Sequence, residues 1–326
     1  MTLMTASVPV ELRSIHGIQR IVAAFGVFDG VHLGHRRILD RVLDLARQTN
    51  AVPTVITFDT HPRSVVSSVT PPLLLTAIPQ RLRLLADVGI EAVVLLPFGP
   101  AMASMSPRNF LLTYVFASSG PEVLGVCIGS GWRFGKGGIG GGDTLSDVAS
   151  PFGCRVESVA EVSLDGRTIS STRIREAVQA GQLDQAAVLL GRLFSVSGTV
   201  TRGKGIGKSK LDCPTANLQN PDIVLPPSGV YAARAHRVPR GATLPGIVYV
   251  GSSPTFVPEG SPAPPRVVEL HLFGVAESLY GEEIDIDFVS MLRADARFTS
   301  ADALRAQITR DIVEARHLLG LPPGSP

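Results

Sequence analysis

Apolar positions in the first half of the chain come in short runs, with amphipathic segments between them. Residues 21–28, 53–58, 91–98 and 123–129 read as four strands. Ile38, Leu39, Val42, Leu43 and Ala46 fall on one face of a helix over 36–48. A second helix covers 78–88 with Gly89 as its stop, and a third opens at Ser106 with Pro107 in the first helical position. The half closes with helices over 172–180 and 182–190, stopped by Gly181 and Gly191. This alternation of strand and helix predicts an α/β domain with a doubly wound parallel sheet. Ligands of such sheets bind beyond the carboxyl ends of the strands.

After Gly191 the period changes. Residues 194–200, 230–236, 245–250, 267–272 and 283–289 read as strands separated by turns rich in Pro and Gly. Ile284, Ile286 and Phe288 alternate with Asp285 and Asp287, as in a half-buried strand. Strands without intervening helices predict an antiparallel β-barrel or sandwich. A C-terminal helix over 300–319, with Leu304, Ile308 and Ile312 on one stripe, is expected to pack on it. The boundary falls near 181–192, giving domains of 1–185 and 186–326. No repeat is visible, and the tract 135–142 is too glycine-rich to order itself without a ligand or a neighbour.

Composition narrows the class. The chain has 326 residues, 44% hydrophobic and 18% charged, too apolar for disorder. Its net charge of +2 gives no electrostatic footprint for nucleic acid or an acidic membrane. Mean hydropathy is +0.26, yet no apolar run reaches the roughly 20 residues a spanning helix needs. The first residues lack the basic and apolar regions of a signal peptide. Cys127, Cys154 and Cys213 form no CxxC pair, which suits a reducing, cytoplasmic setting.

The candidate chemistry begins at 25–35, F-G-V-F-D-G-V-H-L-G-H. A strand ends, Gly26 and Gly30 permit a tight turn through Phe28 and Asp29, and His32 and His35 arrive where the next helix starts. Backbone N–H groups and the helix dipole favour an anion there. Two imidazoles three residues apart add donors for charge growing on an α-phosphate as pyrophosphate leaves. Beside a triphosphate their pKa would rise from about 6.5, making the protonated form the expected donor. Ser170-Ser171-Thr172-Arg173-Ile174-Arg175 opens a later helix, where Ser171 or Thr172 caps and Arg175 reaches toward phosphate. His61, just after the second strand, is a third candidate phosphate contact.

These three segments, G-x-F-D-G-V-H-x-G-H, T-F-x-x-H-P and S-S-T-R-I-R, resemble the adenylyltransferase half of bacterial bifunctional riboflavin kinase/FAD synthetases. The resemblance continues through Arg133-Phe134-Gly135-Lys136 into the second half and covers nearly the whole chain. It implies a Rossmann-like nucleotidyltransferase domain that joins the AMP of ATP to FMN, giving FAD and pyrophosphate. One departure stands out. The family pattern carries an acidic or amide residue and then Phe before R-F-G, where this chain has Gly131-Trp132. Trp132 is placed either to stack on a ligand ring or to pack in the core.

In the second half, 201–210 reads T-R-G-K-G-I-G-K-S-K. A Walker loop is excluded, because Arg202 stands where its first glycine belongs and Cys213-Pro214 follows instead of a helix. Gly203, Lys204, Gly207 and Lys208 still suit ATP phosphates, a solvent-exposed basic hairpin being the alternative. Pro214-Thr215-Ala216-Asn217 is similar to the kinase-half motif of the same family. There the resemblance gives Thr215 and Asn217 to the Mg2+ that accompanies ATP, and gives Glu269 as general base toward riboflavin. The segment 207–213 departs from the family's G-R-x-L-G-F, with Asp212 for Gly and Cys213 for Phe, and Ser253 replaces a basic residue before P-T-F. Asp212 beside ATP phosphates predicts slow riboflavin phosphorylation. An FMN adenylyltransferase with an inactive barrel, or a non-catalytic flavin-binding protein, is the alternative.

Overall fold

The computed structural model describes residues 17–66, 70–201, 216–219, 223–238, 241, 243–252, 266–274 and 279–322. The chain divides into two compact units, Met1–Leu73 with Ile78–Ser171 and Leu74–Ala77 with Thr172–Pro326. The first runs β1 (Arg20–Phe25), α1 (Leu33–Thr49), β2 (Val52–Phe58), α2 (Arg63–Val66), α3 (Ile78–Val88), β3 (Ala92–Leu96), α4 (Pro100–Ala103), α5 (Pro107–Tyr114) and β4 (Glu122–Gly129). It continues through α6 (Gly142–Ala149), β5 (Arg155–Val159) and a small hairpin, β6 (Ser163–Leu164) with β7 (Arg167–Thr168).

Five parallel strands stand in the order β3-β2-β1-β4-β5. Ile21, Ala23 and Phe25 point into one helical layer with Phe110, Leu111 and Leu145. Val22 and Ala24 point into the other with Leu39, Val42 and Leu85. Strands buried on both faces need helices on both, which is why the sheet is doubly wound. Helix α1 comes close to β4 because residue 125 is glycine; a Cβ there would run into Leu45. Winding reverses between β1 and β4, so a crevice opens beyond the carboxyl ends of those two strands.

Strand β5 and helix α6 escaped the sequence reading, as did the short α2, α4, β6 and β7 and the barrel strand at Ala216–Gln219. Strand β5 lies at the sheet edge with a mixed burial pattern, and its Glu157 takes Arg41 at 2.7 Å, so no apolar run betrays it. Helix α6 opens inside the glycine tract. That tract is ordered by neighbours: Phe134 and Gly140 exchange backbone hydrogen bonds at 3.1 and 3.0 Å, and Gly135 and Gly140 lie against Pro107.

The second unit carries α7 (Ser171–Gln179), which opens on the last residue of the first unit, and α8 (Leu183–Leu190). Then come β8 (Ser195–Thr201), β9 (Ala216–Gln219), β10 (Gly229–Arg237), β11 (Thr243–Ser252), β12 (Arg266–Leu272), β13 (Glu283–Ala294) and α9 (Ala301–Leu318). Six antiparallel strands close a barrel in the order β10-β11-β12-β9-β8-β13. Strand β13 outruns its sequence pattern because two irregularities in its pairing with β10 interrupt the alternation. Helix α9 is capped by Ser300, whose hydroxyl accepts the Ala303 N–H at 3.1 Å. Its Ile312, Ala315 and following Leu319 pack on Val230, Ala232 and Ile247. Buried Asp311 accepts Arg293 Nε at 3.1 and 2.9 Å and Gln307 Nε2 at 2.7 Å, pinning the helix to β13.

Candidate active site

The segment joining β1 to α1 takes a costly path. Phe28 and Val31 have φ of 51° and 40°, either side of Gly30 at 84°. Left-handed backbone costs about 1–3 kcal/mol at such side chains, most clearly at a β-branched valine. Three donors from separate elements hold it. Arg81 of α3 gives Nη1 to the Val27 carbonyl at 2.6 Å, and Thr57 of β2 gives Oγ1 to the same oxygen at 3.2 Å. Ser171 gives its hydroxyl to the Asp29 carbonyl at 2.9 Å. The Phe28 ring is buried and meets the His35 ring at 5.1 Å.

His32 is the N-cap of α1, and its Nδ1 accepts the His35 N–H at 3.2 Å. That bond uses the Nδ1 lone pair, so the neutral ring carries its proton on Nε2. The His32 and His35 rings stack at 3.6 Å, 17° from parallel. His35 Nδ1 is buried without a hydrogen-bond partner among the described residues. Burial, then His32, then Arg81, push the His35 pKa well below its ordinary 6.5. Without a bound anion the surroundings thus favour the neutral His35 ring, so the protonated form expected beside a triphosphate depends on the anion's own charge. His61 follows β2 at the same sheet edge, where its Nδ1 accepts the Arg63 N–H at 3.1 Å and starts α2. Thr172 and Arg175 continue α7, the former exposed and the latter buried.

In the barrel, Glu269 sits on β12 directly opposite Asn217 of β9 and Tyr249 of β11. Val268, Leu270 and Leu272 fill the buried face, leaving Glu269 and His271 half-buried on the other. Burial raises the Glu269 carboxyl pKa, making it a better proton acceptor than a solvated carboxylate. Tyr249 donates to Asp295 at 3.2 Å, and burial, then Asp295, hold its pKa up at about 12.

A model of FAD synthetase matches residues 15–173, and a model of riboflavin kinase matches residues 190–319. The bifunctional riboflavin kinase/FMN adenylyltransferase of Escherichia coli (strain K12) is 32% identical over 315 residues, 95% of this chain and 98% of the relative. The chain belongs to the bifunctional riboflavin kinase/FMN adenylyltransferase family. The relative from Bacillus subtilis (strain 168) is 32% identical over 297 residues, 90% of this chain and 91% of its own. A crystal structure described as a macrolide-efflux protein from Streptococcus pneumoniae superposes with a TM-score of 0.79 at 26% identity, covering 95% and 98% of the two chains. No helix among the described residues is long and apolar enough to cross a membrane.

Within the FAD synthetase region, Gly26, Phe28, Asp29, Gly30, His32, His35 and Ser171 come together around one turn. Within the riboflavin kinase region, Asn217 and Glu269 stand side by side, while Gly203, Lys204, Gly207, Lys208 and Thr215 lie outside the described residues, as do Asp212, Cys213 and Ser253. Trp132 stacks on Phe134 at 4.4 Å and Phe25 at 5.5 Å, the core placement of its two expected alternatives. Arg81 escaped the sequence reading. It sits in an amphipathic helix where arginine passes for a solvated residue, yet its side chain is buried beneath the turn.

Proposed function

We propose that this chain phosphorylates riboflavin to FMN and adenylylates FMN to FAD, using ATP in both steps. The observation that carries this is the succession of the two family matches along one chain, 15–173 and 190–319. We take 1–185 as the adenylyltransferase and 186–326 as the kinase.

In adenylyl transfer, an FMN phosphate oxygen attacks the α-phosphorus of ATP and the α–β bridge breaks, releasing pyrophosphate. Gly26, Phe28, Asp29 and Gly30 shape the phosphate turn. His32 offers Nε2–H, and His35 gains a proton as anionic charge arrives, so both stabilise the transferring phosphoryl group. Ser171, Thr172, Arg175 and His61 hold the polyphosphate. The buried, unpaired His35 Nδ1 supports this, since such an atom costs free energy unless something binds there.

In phosphorylation, a ribityl hydroxyl attacks the γ-phosphorus and the β–γ bridge breaks, releasing ADP. Glu269 takes the hydroxyl proton, for which its raised pKa suits it. Gly203, Lys204, Gly207 and Lys208 embrace the ATP phosphates. Mg2+ would arrive with ATP and be held by Thr215 and Asn217, whose hydroxyl and amide oxygens are hard donors. The metal would neutralise phosphate charge.

The partners are small molecules rather than nucleic acid or membrane, and the setting is the cytoplasm. The test is incubation of the whole chain with riboflavin and ATP–Mg, and separately with FMN and ATP–Mg, followed by chromatography. FMN in the first and FAD in both are expected; no product in either overturns the reading.

A further inference from the structure

Glu161 lies two residues beyond β5, and Gly131 lies two residues beyond β4. The strands are hydrogen-bonded neighbours, and the Ser130 N–H reaches the Val159 carbonyl at 3.0 Å. Both residues therefore emerge at the carboxyl edge of the sheet, with β4 bordering the crevice from the side opposite β1. Thr168 of the small hairpin donates its hydroxyl to Glu161 Oε2 at 2.9 Å, fixing the carboxylate. The other oxygen, Oε1, lies 3.0 Å from where a Cβ on residue 131 would stand.

Gly131 is outside the left-handed region of the backbone, so no conformational demand calls for glycine. An alanine there would need the carboxylate to shift by a few tenths of an ångström. An asparagine or aspartate would claim the space outright. Gly131 and Glu161 are therefore a matched pair: the side chain that residue 131 lacks is replaced by one reaching across from the next strand.

We propose that Glu161 positions the nucleotide for adenylyl transfer by accepting a hydrogen bond from a neutral donor of ATP, a ribose hydroxyl or the base amino group. A carboxylate is acceptor-only and repels phosphate, so the polyphosphate is left to the histidine side of the crevice. This rests on the adenylyltransferase reading of the first half. Glu161 is exposed, so a ligand can reach it.

The test uses the whole chain and measures FAD synthesis from FMN, with riboflavin phosphorylation as internal control. Glu161→Ala should raise the KM for ATP in FAD synthesis about tenfold, the loss of one hydrogen bond to a charged group, with kcat and the kinase reaction little changed. Glu161→Gln, which keeps an acceptor oxygen, should lose less. Adding Gly131→Asn to Glu161→Ala should recover ATP affinity. The chain's one tryptophan, Trp132, adjoins Gly131, so its fluorescence gives an ATP titration independent of turnover.

Two analogues locate the donor. 2′-Deoxy-ATP lacks a ribose hydroxyl, and inosine triphosphate replaces the amino group with an oxo group. The unaltered protein should discriminate against one of them, and Glu161→Ala should lose that discrimination. An ATP KM unchanged in Glu161→Ala, or equal loss of both activities, overturns the assignment. No FAD synthesis by the unaltered protein would instead overturn the reading of the whole half.

Discussion

Arg81 reaches from α3 to the Val27 carbonyl at 2.6 Å, so a helix with no part of its own in the phosphate turn fixes that turn from below. Its Nη1 also lies 3.5 Å from Thr57 Oγ1, and its charge faces Asp29. Removing this side chain leaves the part-buried Val27 carbonyl with the longer Thr57 bond alone and loosens the hold on two left-handed residues. Arg81→Met should therefore cost about 1–3 kcal/mol in chemical unfolding and depress FAD synthesis while riboflavin phosphorylation persists. Full stability and full FAD synthesis in the variant would show that the turn holds itself.

His35→Ala should lower FAD synthesis about 10²–10³-fold, the range for removing one donor to a charged transition state. Riboflavin phosphorylation by the same protein should change little. Equal losses would speak against two separate sites.

The depressed pKa of His35 has its own signature. A histidine lowered in the fold lets the unfolded chain bind more protons as pH falls through 6.5. Its contribution to stability is complete above that value and is lost on acidification toward the lower folded pKa. Titration followed by imidazole NMR, with His35→Asn for assignment, should find the ring still neutral at pH 6.5 without nucleotide. A midpoint near 6.5 would contradict the burial argument.

Glu269 is shifted the other way, and its deprotonated form is the useful one. The acid limb of the kinase pH–rate profile should lie above the usual carboxylate range and vanish with Glu269→Gln, which should abolish most FMN formation. FAD synthesis from supplied FMN should survive that change.

Asp311 is a buried carboxylate with Arg293 as its fixed partner. Asp311→Ala strands the guanidinium against α9 and should cost about 3–5 kcal/mol. Calorimetry of the whole chain should show the loss. A shift well under 1 kcal/mol would mean that water replaces the carboxylate freely.

The architecture was largely legible because its elements are locally consistent. The mostly apolar strands β1 to β3, Pro107 after Ser106, and Gly89 and Gly191 as stops announce themselves through period and punctuation. Strand β5 was invisible because its polar residues find partners only in the folded sheet, as Glu157 does in Arg41. The histidine pair was legible as residue types, but the protonation of His35 was not. That depends first on burial, then on the ring stacked against it and on Arg81, forty-six residues away in sequence. Glu161 was unreadable for the same reason, since its significance lies in the glycine it faces across a strand gap.

Barrel closure also sets an order of events during synthesis. Strands β8 and β10 each wait for β13, the last strand among the described residues, as their second neighbour. The parallel sheet needs nothing beyond Val159 to acquire all its strands. A ribosome-bound chain can thus assemble the flavin-adenylylating sheet while the phosphorylating ring still has two raw edges, which stay open until residues 283–294 emerge to seal them.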